Sequence, residues 1–244
     1  EQTTELQEVE LFRFADGTVL TADELLATNP GRFGGYPVPQ AGGGGGGGIG
    51  GIGGGNLATG ASAASERADH LILGDAGGNL LGLAGDDLLE GGAGSDRLFG
   101  NLGNDTLRGG AGNDTLYGGQ GEDVLYAGAG ADLLFGNLGD DTLSADAGGS
   151  RLYGGQGADV LVSGSGDDVL SGDLGADVYR FGAGSGRDTI LGFSASQGDR
   201  IDLQGQSYVL SSTENGSALM TLSGGGVVLL EGIAVQHLTS SLGQ

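Results

Sequence analysis

An aspartate recurs every nine residues along the middle of this 244-residue chain, from Asp87 to Asp177, and the series is broken only at Ser150. Carboxylates this numerous and this equivalent do not suit catalysis, in which two groups are held in different environments to do different work. They suit a hard cation, which takes roughly six to eight oxygen ligands in flexible geometry. Zinc and copper are disfavoured, because histidine is confined to His70 and His237, to which no role is assigned, and cysteine is absent. No H-E-x-x-H or G-x-S-x-G motif occurs. The glycine clusters run into strand-like residues with no lysine nearby, which excludes a phosphate-cradling loop.

The elements that must position these aspartates follow from the same period. With a unit beginning at Gly82, position four is glycine from Gly85 to Gly175, and position eight is leucine from Leu89 to Leu170, then Tyr179. A degenerate unit, 74–81, precedes them and is one residue short. In Gly109–Tyr117 the residues around Leu116 predict a three-residue strand with one inward side chain, and the six before it are turn formers. Position three is small in alternate units (Ala93, Ala111, Ala129, Ala147, Ser165), while in the others it reads Leu102, Gln120, Leu138, Gln156, Leu174. Two units therefore make one coil, and coils stack into two parallel sheets with leucine between them. One leucine per unit buries too little apolar surface to offset the backbone entropy of the rest. Strands stack about 4.8 Å apart, so the aspartates form a ladder in which neighbours repel by roughly 1 kcal/mol even in water. Ca²⁺ is the counter-ion that fits, since Mg²⁺ keeps its waters and demands a tighter octahedron.

Composition sets the outer bounds. The chain has 58 Gly and 3 Pro yet is 37% hydrophobic, so something is buried. Acidic residues number 32 against 9 basic ones, all arginine, for a net charge of −23. That balance excludes nucleic-acid binding by phosphate neutralisation and opposes approach to an anionic membrane surface. No segment has the length of an apolar membrane span. An acidic excess in an arbitrary segment more often marks a solvated, disordered tail; the regular spacing favours cation binding here. The sequence opens at Glu1 without methionine or a leader, which reads as a fragment or a processed C-terminal piece.

Four regions are expected. Residues 1–28 read as a short β-hairpin turning at Asp16-Gly17, followed by a helix capped by Thr21-Ala22-Asp23-Glu24. Residues 29–65, with the glycine run 42–55, read as a flexible linker. The repeats occupy 66–180, and 181–244 form a β-rich C-terminal cap. The position-five residues Asp86, Glu122, Asp140 and Asp167 are expected to face solvent, with service as extra ligands the alternative. Asp188, Asp199 and Asp202 are either cap ligands or solvated loop carboxylates.

Units such as GGAGNDTLY (109–117) and GGQGEDVLY (118–126) closely resemble the nonapeptide repeats of the RTX (repeats-in-toxin, haemolysin-type) calcium-binding proteins. Residues 181–203 and 224–233 resemble the capping region that follows such repeats in secreted exoproteins, and 9–26 resembles a short module found between RTX blocks. The resemblance implies an all-β fold, a parallel β-roll (β-helix or solenoid) with a C-terminal cap. It implies several Ca²⁺ ions between units n and n+2, held by backbone carbonyls and the carboxylates of Asp87, Asp96, Asp105, Asp114, Asp123, Asp132, Asp141, Asp159, Asp168 and Asp177. Ser150, between Asp132 and Asp168, is expected to weaken that file, while the file 87, 105, 123, 141, 159, 177 stays continuous. The implied role is a module that folds on Ca²⁺ after export by type I secretion machinery, stabilising a larger protein outside a Gram-negative cell or on its surface. Catalysis within the chain is not expected. The alternatives are the tail of a secreted protease, lipase or polysaccharide-modifying enzyme, and a piece of an adhesin or surface layer.

Overall fold

The structure, a computed structural model, describes residues 67–238 together with two three-residue strands nearer the N-terminus. The chain divides into two units, Glu1–Gly54 and Gly55–Gln244. In the first, β1 (Leu11–Arg13) pairs antiparallel with β2 (Val19–Thr21), Leu11 opposite Thr21. The helix expected after Thr21 and the glycine-rich segment 29–65 lie outside the described residues.

In the second unit the nine-residue period becomes a parallel β-solenoid. Successive strands alternate between two sheets, so each pairs with the strand two along. One sheet holds β3 (His70–Ile72), β5 (Leu88–Ala93), β7 (Thr106–Ala111), β9 (Val124–Ala129), β11 (Thr142–Ser144), β13 (Val160–Val162), β15 (Val178–Arg180) and β17 (Arg200–Asp202). The other begins with β4 (Asn79–Ala84), β6 (Arg97–Leu102), β8 (Thr115–Gln120), β10 (Leu133–Leu138), β12 (Arg151–Gln156), β14 (Val169–Leu174) and β16 (Arg187–Leu191). The register holds each leucine over its equivalent: Leu134 lies opposite Leu116 on one side and Leu152 on the other. From Leu89 to Leu170 the position-eight leucines are fully buried, and Tyr179 ends the file. Tyr179 packs at a tilt against Phe193, and its hydroxyl accepts the Gly172 N–H at 2.9 Å.

Most strands are longer than the three residues the repeat suggested. β8 runs six residues and turns two positions inward, Leu116 and then Gly118, the first residue of the next unit. Extended backbone continues through that glycine because the space its side chain would fill already holds a carboxylate. A Cβ on Gly118 would collide with Asp123 Oδ2, and one on Gly109 would lie 2.5 Å from Asp114 Oδ2 and from the Ala127 carbonyl oxygen. The interior is thus a file of leucines beside a file of carboxylates. Outside, the two-unit period stacks the rings of Phe99, Tyr117, Phe135 and Tyr153, with centroids 5.0–5.2 Å apart.

Beyond residue 180 the parallel stacking continues for one more step in each sheet. Tyr179 pairs with Ile201, and Leu170 with Ile190. The fold then changes character. β20 (Val227–Leu230) pairs parallel with β16, and β19 (Ala218–Leu222) and β18 (Tyr208–Ser212) follow antiparallel. Ala218, Met220, Val228 and Leu230 close the end of the core, with Leu238 from the short helix Val235–Leu238.

Candidate metal centre

The ten aspartates singled out by their spacing are all buried, none exposing more than 3% of its surface. The fold arranges them in two files, one on each edge of the roll. In the first, Asp105 Oδ1 accepts the backbone N–H of Asp87 at 2.8 Å, and Asp123 that of Asp105 at 2.7 Å. Asp141, Asp159 and Asp177 repeat the bond at 2.8–3.0 Å. In the second file Asp114 and Asp132 do the same for Asp96 and Asp114. Each bond spans 18 residues, so one carboxylate oxygen laces a coil to the coil before it.

The other oxygen has no such use. Oδ2 of Asp87, Asp96, Asp105, Asp114, Asp123, Asp132, Asp141, Asp159 and Asp177 is buried without a hydrogen-bond partner. A buried carboxylate oxygen left unpaired costs folding free energy, and here the cost recurs at every rung but those of Ser150 and Asp168. Main-chain oxygens lie close to several of them: a Cβ on Gly82, Gly100 or Gly136 would meet both the Oδ2 of Asp87, Asp105 or Asp141 and the carbonyl oxygen of Gly100, Gly118 or Gly154, and the turns present further carbonyls toward the stack. Gly103 and Gly121, at position four, have φ of +123° and +131°, a left-handed backbone that only glycine adopts freely. A Cβ on Gly121 would strike the Gly103 carbonyl oxygen, and one on Gly139 that of Gly121, so each position-four carbonyl points at the turn stacked on it. Among the described residues no three acidic or imidazole side chains converge. A cation between turns would therefore have to draw on main-chain carbonyls as well as on the aspartates. Carboxylate plus carbonyl oxygens, without nitrogen or sulfur, is a donor set that fits a hard ion such as Ca²⁺.

Burial raises the carboxyl pKa values along both files, and the charge of neighbouring aspartates raises most of them further. Asp141 reaches about 8, Asp123 and Asp159 about 7, and Asp96, Asp105 and Asp132 about 6. In each, the backbone N–H donated by the previous coil pulls the other way and loses.

Ser150 alters the second file in a specific way. Its Oγ accepts the Asp132 N–H at 3.1 Å, and its own N–H donates to Asp168 Oδ1 at 2.7 Å. The lacing survives; the charge does not. Asp168 differs as well, because its Oδ2 accepts the Gly164 N–H at 3.2 Å.

The files have further members that the nine-residue count did not reach. Asp188 Oδ1 accepts the Asp168 N–H across 20 residues, and Asp199 Oδ1 the Asp177 N–H across 22, both at 3.1 Å. Asp199 Oδ2 also accepts the Ser194 N–H at 2.8 Å. The sequence carries a signal for Asp188, since Gly186-Arg187-Asp188 keeps the Gly-x-Asp spacing of positions four to six after an insertion. Burial lifts Asp188 to about 7, with the Asp168 N–H pulling the other way and the Asp168 charge adding to the rise, and its Oδ2 is buried without a partner like those of the roll. Asp202 stands apart. It pairs with Arg180 at 3.0 Å and accepts the backbone N–H of Gln204, contacts that hold its carboxyl below the usual range.

The position-five residues face solvent and also form a second ladder of opposite sense. Asp86 Oδ1 accepts the Asn104 N–H, Asp140 Oδ1 the Ala158 N–H and Asp167 Oδ1 the Arg187 N–H, at 2.7–2.9 Å. Asn104 does the same for Glu122, whose side chain is exposed. His70 contacts Glu90 on the outer surface.

The model of the RTX calcium-binding nonapeptide repeat matches six overlapping segments that together span residues 73–190. The chain belongs to the RTX calcium-binding repeat family. Its fold is the corresponding parallel β-solenoid. Among solved structures, the RTX roll is similar to the AlgE6R3 subunit of the Azotobacter vinelandii mannuronan C5-epimerase, at 32% identity over 47% of this chain and 77% of that one, with a TM-score of 0.37. It is also similar to the extracellular lipase LipA of Serratia marcescens, at 20% identity over 74% of this chain and 39% of that one, with a TM-score of 0.34. No curated protein matches it.

Proposed function

We propose that residues 67–202 are a calcium-triggered folding module in which several ions lie along both edges of the roll. The single observation that carries this reading is the row of buried, unpartnered Oδ2 atoms, with main-chain carbonyl oxygens packed close to those of Asp87, Asp105 and Asp141. When bound, Ca²⁺ supplies positive charge and open coordination positions. The protein's part is to present Asp Oδ2 and the position-four carbonyls from one edge, to fix each carboxylate through its Oδ1 bond, and to exclude water by burial. The ligands are Asp87, Asp96, Asp105, Asp114, Asp123, Asp132, Asp141, Asp159, Asp168 and Asp177, with Asp188 and Asp199 at the ends of the files. Occupancy is weakest around Ser150, where the file loses one charge.

An ion that binds only the folded form draws the folding equilibrium toward it. In low-calcium cytosol the −23 chain stays extended and suits passage through a narrow type I export channel. At extracellular Ca²⁺ it folds outside a Gram-negative cell and stabilises the protein that carries it. Circular dichroism of the chain in Ca²⁺ and in chelator tests the coupling. The expected result is strong β-structure with the ion and its loss without; the same β-content in both would refute it.

A further inference from the structure

The ten-stranded sheet ends in β18, a strand that nothing among the described residues pairs on its outer side. Its register fixes which backbone groups are left over. The Ser223 N–H bonds the Ser207 carbonyl and the Thr213 N–H bonds the Ser217 carbonyl, so odd-numbered residues of β18 face β19. In an antiparallel ladder the alternate residues then point away. The N–H and C=O groups of Tyr208, Leu210 and Ser212 are presented along a free edge. Sheet edges are ordinarily guarded by charge, proline, a bulge or a covering segment. Residues 203–230 contain no proline and a single charge, Glu214. Val209 is 69% exposed and Tyr208 40%, and a depression of about 180 Å³ runs between β18 and β19 beside them.

We propose that this edge pairs with the same edge of a second copy of the chain, β18 against β18 about a two-fold axis. Charge argues for this occupant. Among the described residues, two copies of this acidic chain present carboxylates to each other over most of the roll, whereas 203–230 is a long stretch over which they approach almost without repulsion. The strand is also self-complementary. With Leu210 on the axis, Tyr208 faces the second copy's Ser212, and the outward N–H of each even residue meets an outward carbonyl. Leu210, half-buried against the end of the core, meets its own equivalent and extends that core across the axis. The two ten-stranded sheets become one continuous sheet, an isologous interface of the commonest kind.

The chain has no cysteine, which gives a direct test. Hydrogen-bonded residues across an antiparallel pair have Cα atoms about 5.5 Å apart, inside the roughly 4.4–6.8 Å that a disulfide spans. In the Ca²⁺-loaded chain, Leu210→Cys is expected to oxidise to a covalent dimer, while Ser212→Cys, which faces Tyr208, stays monomeric on a denaturing gel. Light scattering of the wild-type chain is expected to give the mass of a dimer. Val209→Lys with Ser211→Lys, both on exposed positions, is expected to weaken dimerisation at least tenfold with the calcium-loaded circular dichroism unchanged. A wild-type chain that is monomeric at all concentrations, a dimer indifferent to the lysines, or equal crosslinking of the two cysteine variants would overturn the proposal.

Discussion

The roll and its cap solve the same problem with different materials. In the roll, coils bury one leucine and, except at Ser150, one carboxylate on each side, and apart from Asp168 that carboxylate has only half its hydrogen-bonding needs met: Asp105, Asp123 and Asp141 each have Oδ1 bonded and Oδ2 bare. In the cap the protein supplies a second donor to Asp199 through the Ser194 N–H, although Oδ2 of Asp188 stays bare as in the roll, and the interior is closed by Ala218, Met220, Val228 and Leu230 with almost no charge. The cap is an ordinary apolar β-structure. The roll is a scaffold for ions.

Removing the ion breaks the comparison most severely. In chelator, amide hydrogen exchange is expected to lose protection at Leu116, Leu134 and Leu152 before the β18–β19 hairpin loses it; simultaneous loss in both regions would show that the two are not different in kind. Next comes pH. The file aspartates have pKa values in the metal-free fold above the unfolded value of about 4, up to about 8 at Asp141. The folded form therefore holds more protons than the unfolded one between those limits, so metal-free stability is greatest in acid and falls as pH rises through 6 to 8. A chelated sample should gain β-structure on acidification from pH 8 to pH 5, followed by circular dichroism; loss of structure in that direction would contradict the sign.

The sequence made the architecture legible because a solenoid is nearly one-dimensional: one period fixes strand, turn, inward leucine and register together. The period also located the carboxylate files. What it hid was the division of labour within each carboxylate, because the lacing bond from Asp105 Oδ1 to the Asp87 N–H joins residues of different coils. Strand length was underread for a related reason. Gly118 looks like a turn former, but it lies in extended backbone because the Asp123 carboxylate takes its side-chain space. Asp188 and Asp199 escaped the count because insertions stretch their steps to 20 and 22 residues.

Three substitutions sharpen the contrast at single rungs. Asp141→Asn keeps an oxygen for the Asp123 N–H and removes a buried charge. It should stabilise the metal-free roll and destabilise the calcium-loaded one, each by about 1–3 kcal/mol in denaturant titrations. Asp199→Asn leaves the Ser194 N–H facing an amide N–H₂, so it should destabilise both forms; a gain in the metal-free form would erase the distinction between roll and cap. The smallest effect is expected from Ser150→Asp. It restores the second file's charge and should raise the calcium stoichiometry measured by calorimetry, and unchanged stoichiometry would mean that Ser150 interrupts nothing.

Anomalous diffraction from crystals grown in Ca²⁺ tests the central claim most directly. The expected map has two rows of peaks between successive turns, each near an aspartate Oδ2 and position-four carbonyls, with the row through Ser150 thinned at that rung. Well-ordered turns with no anomalous peaks between them would contradict the account.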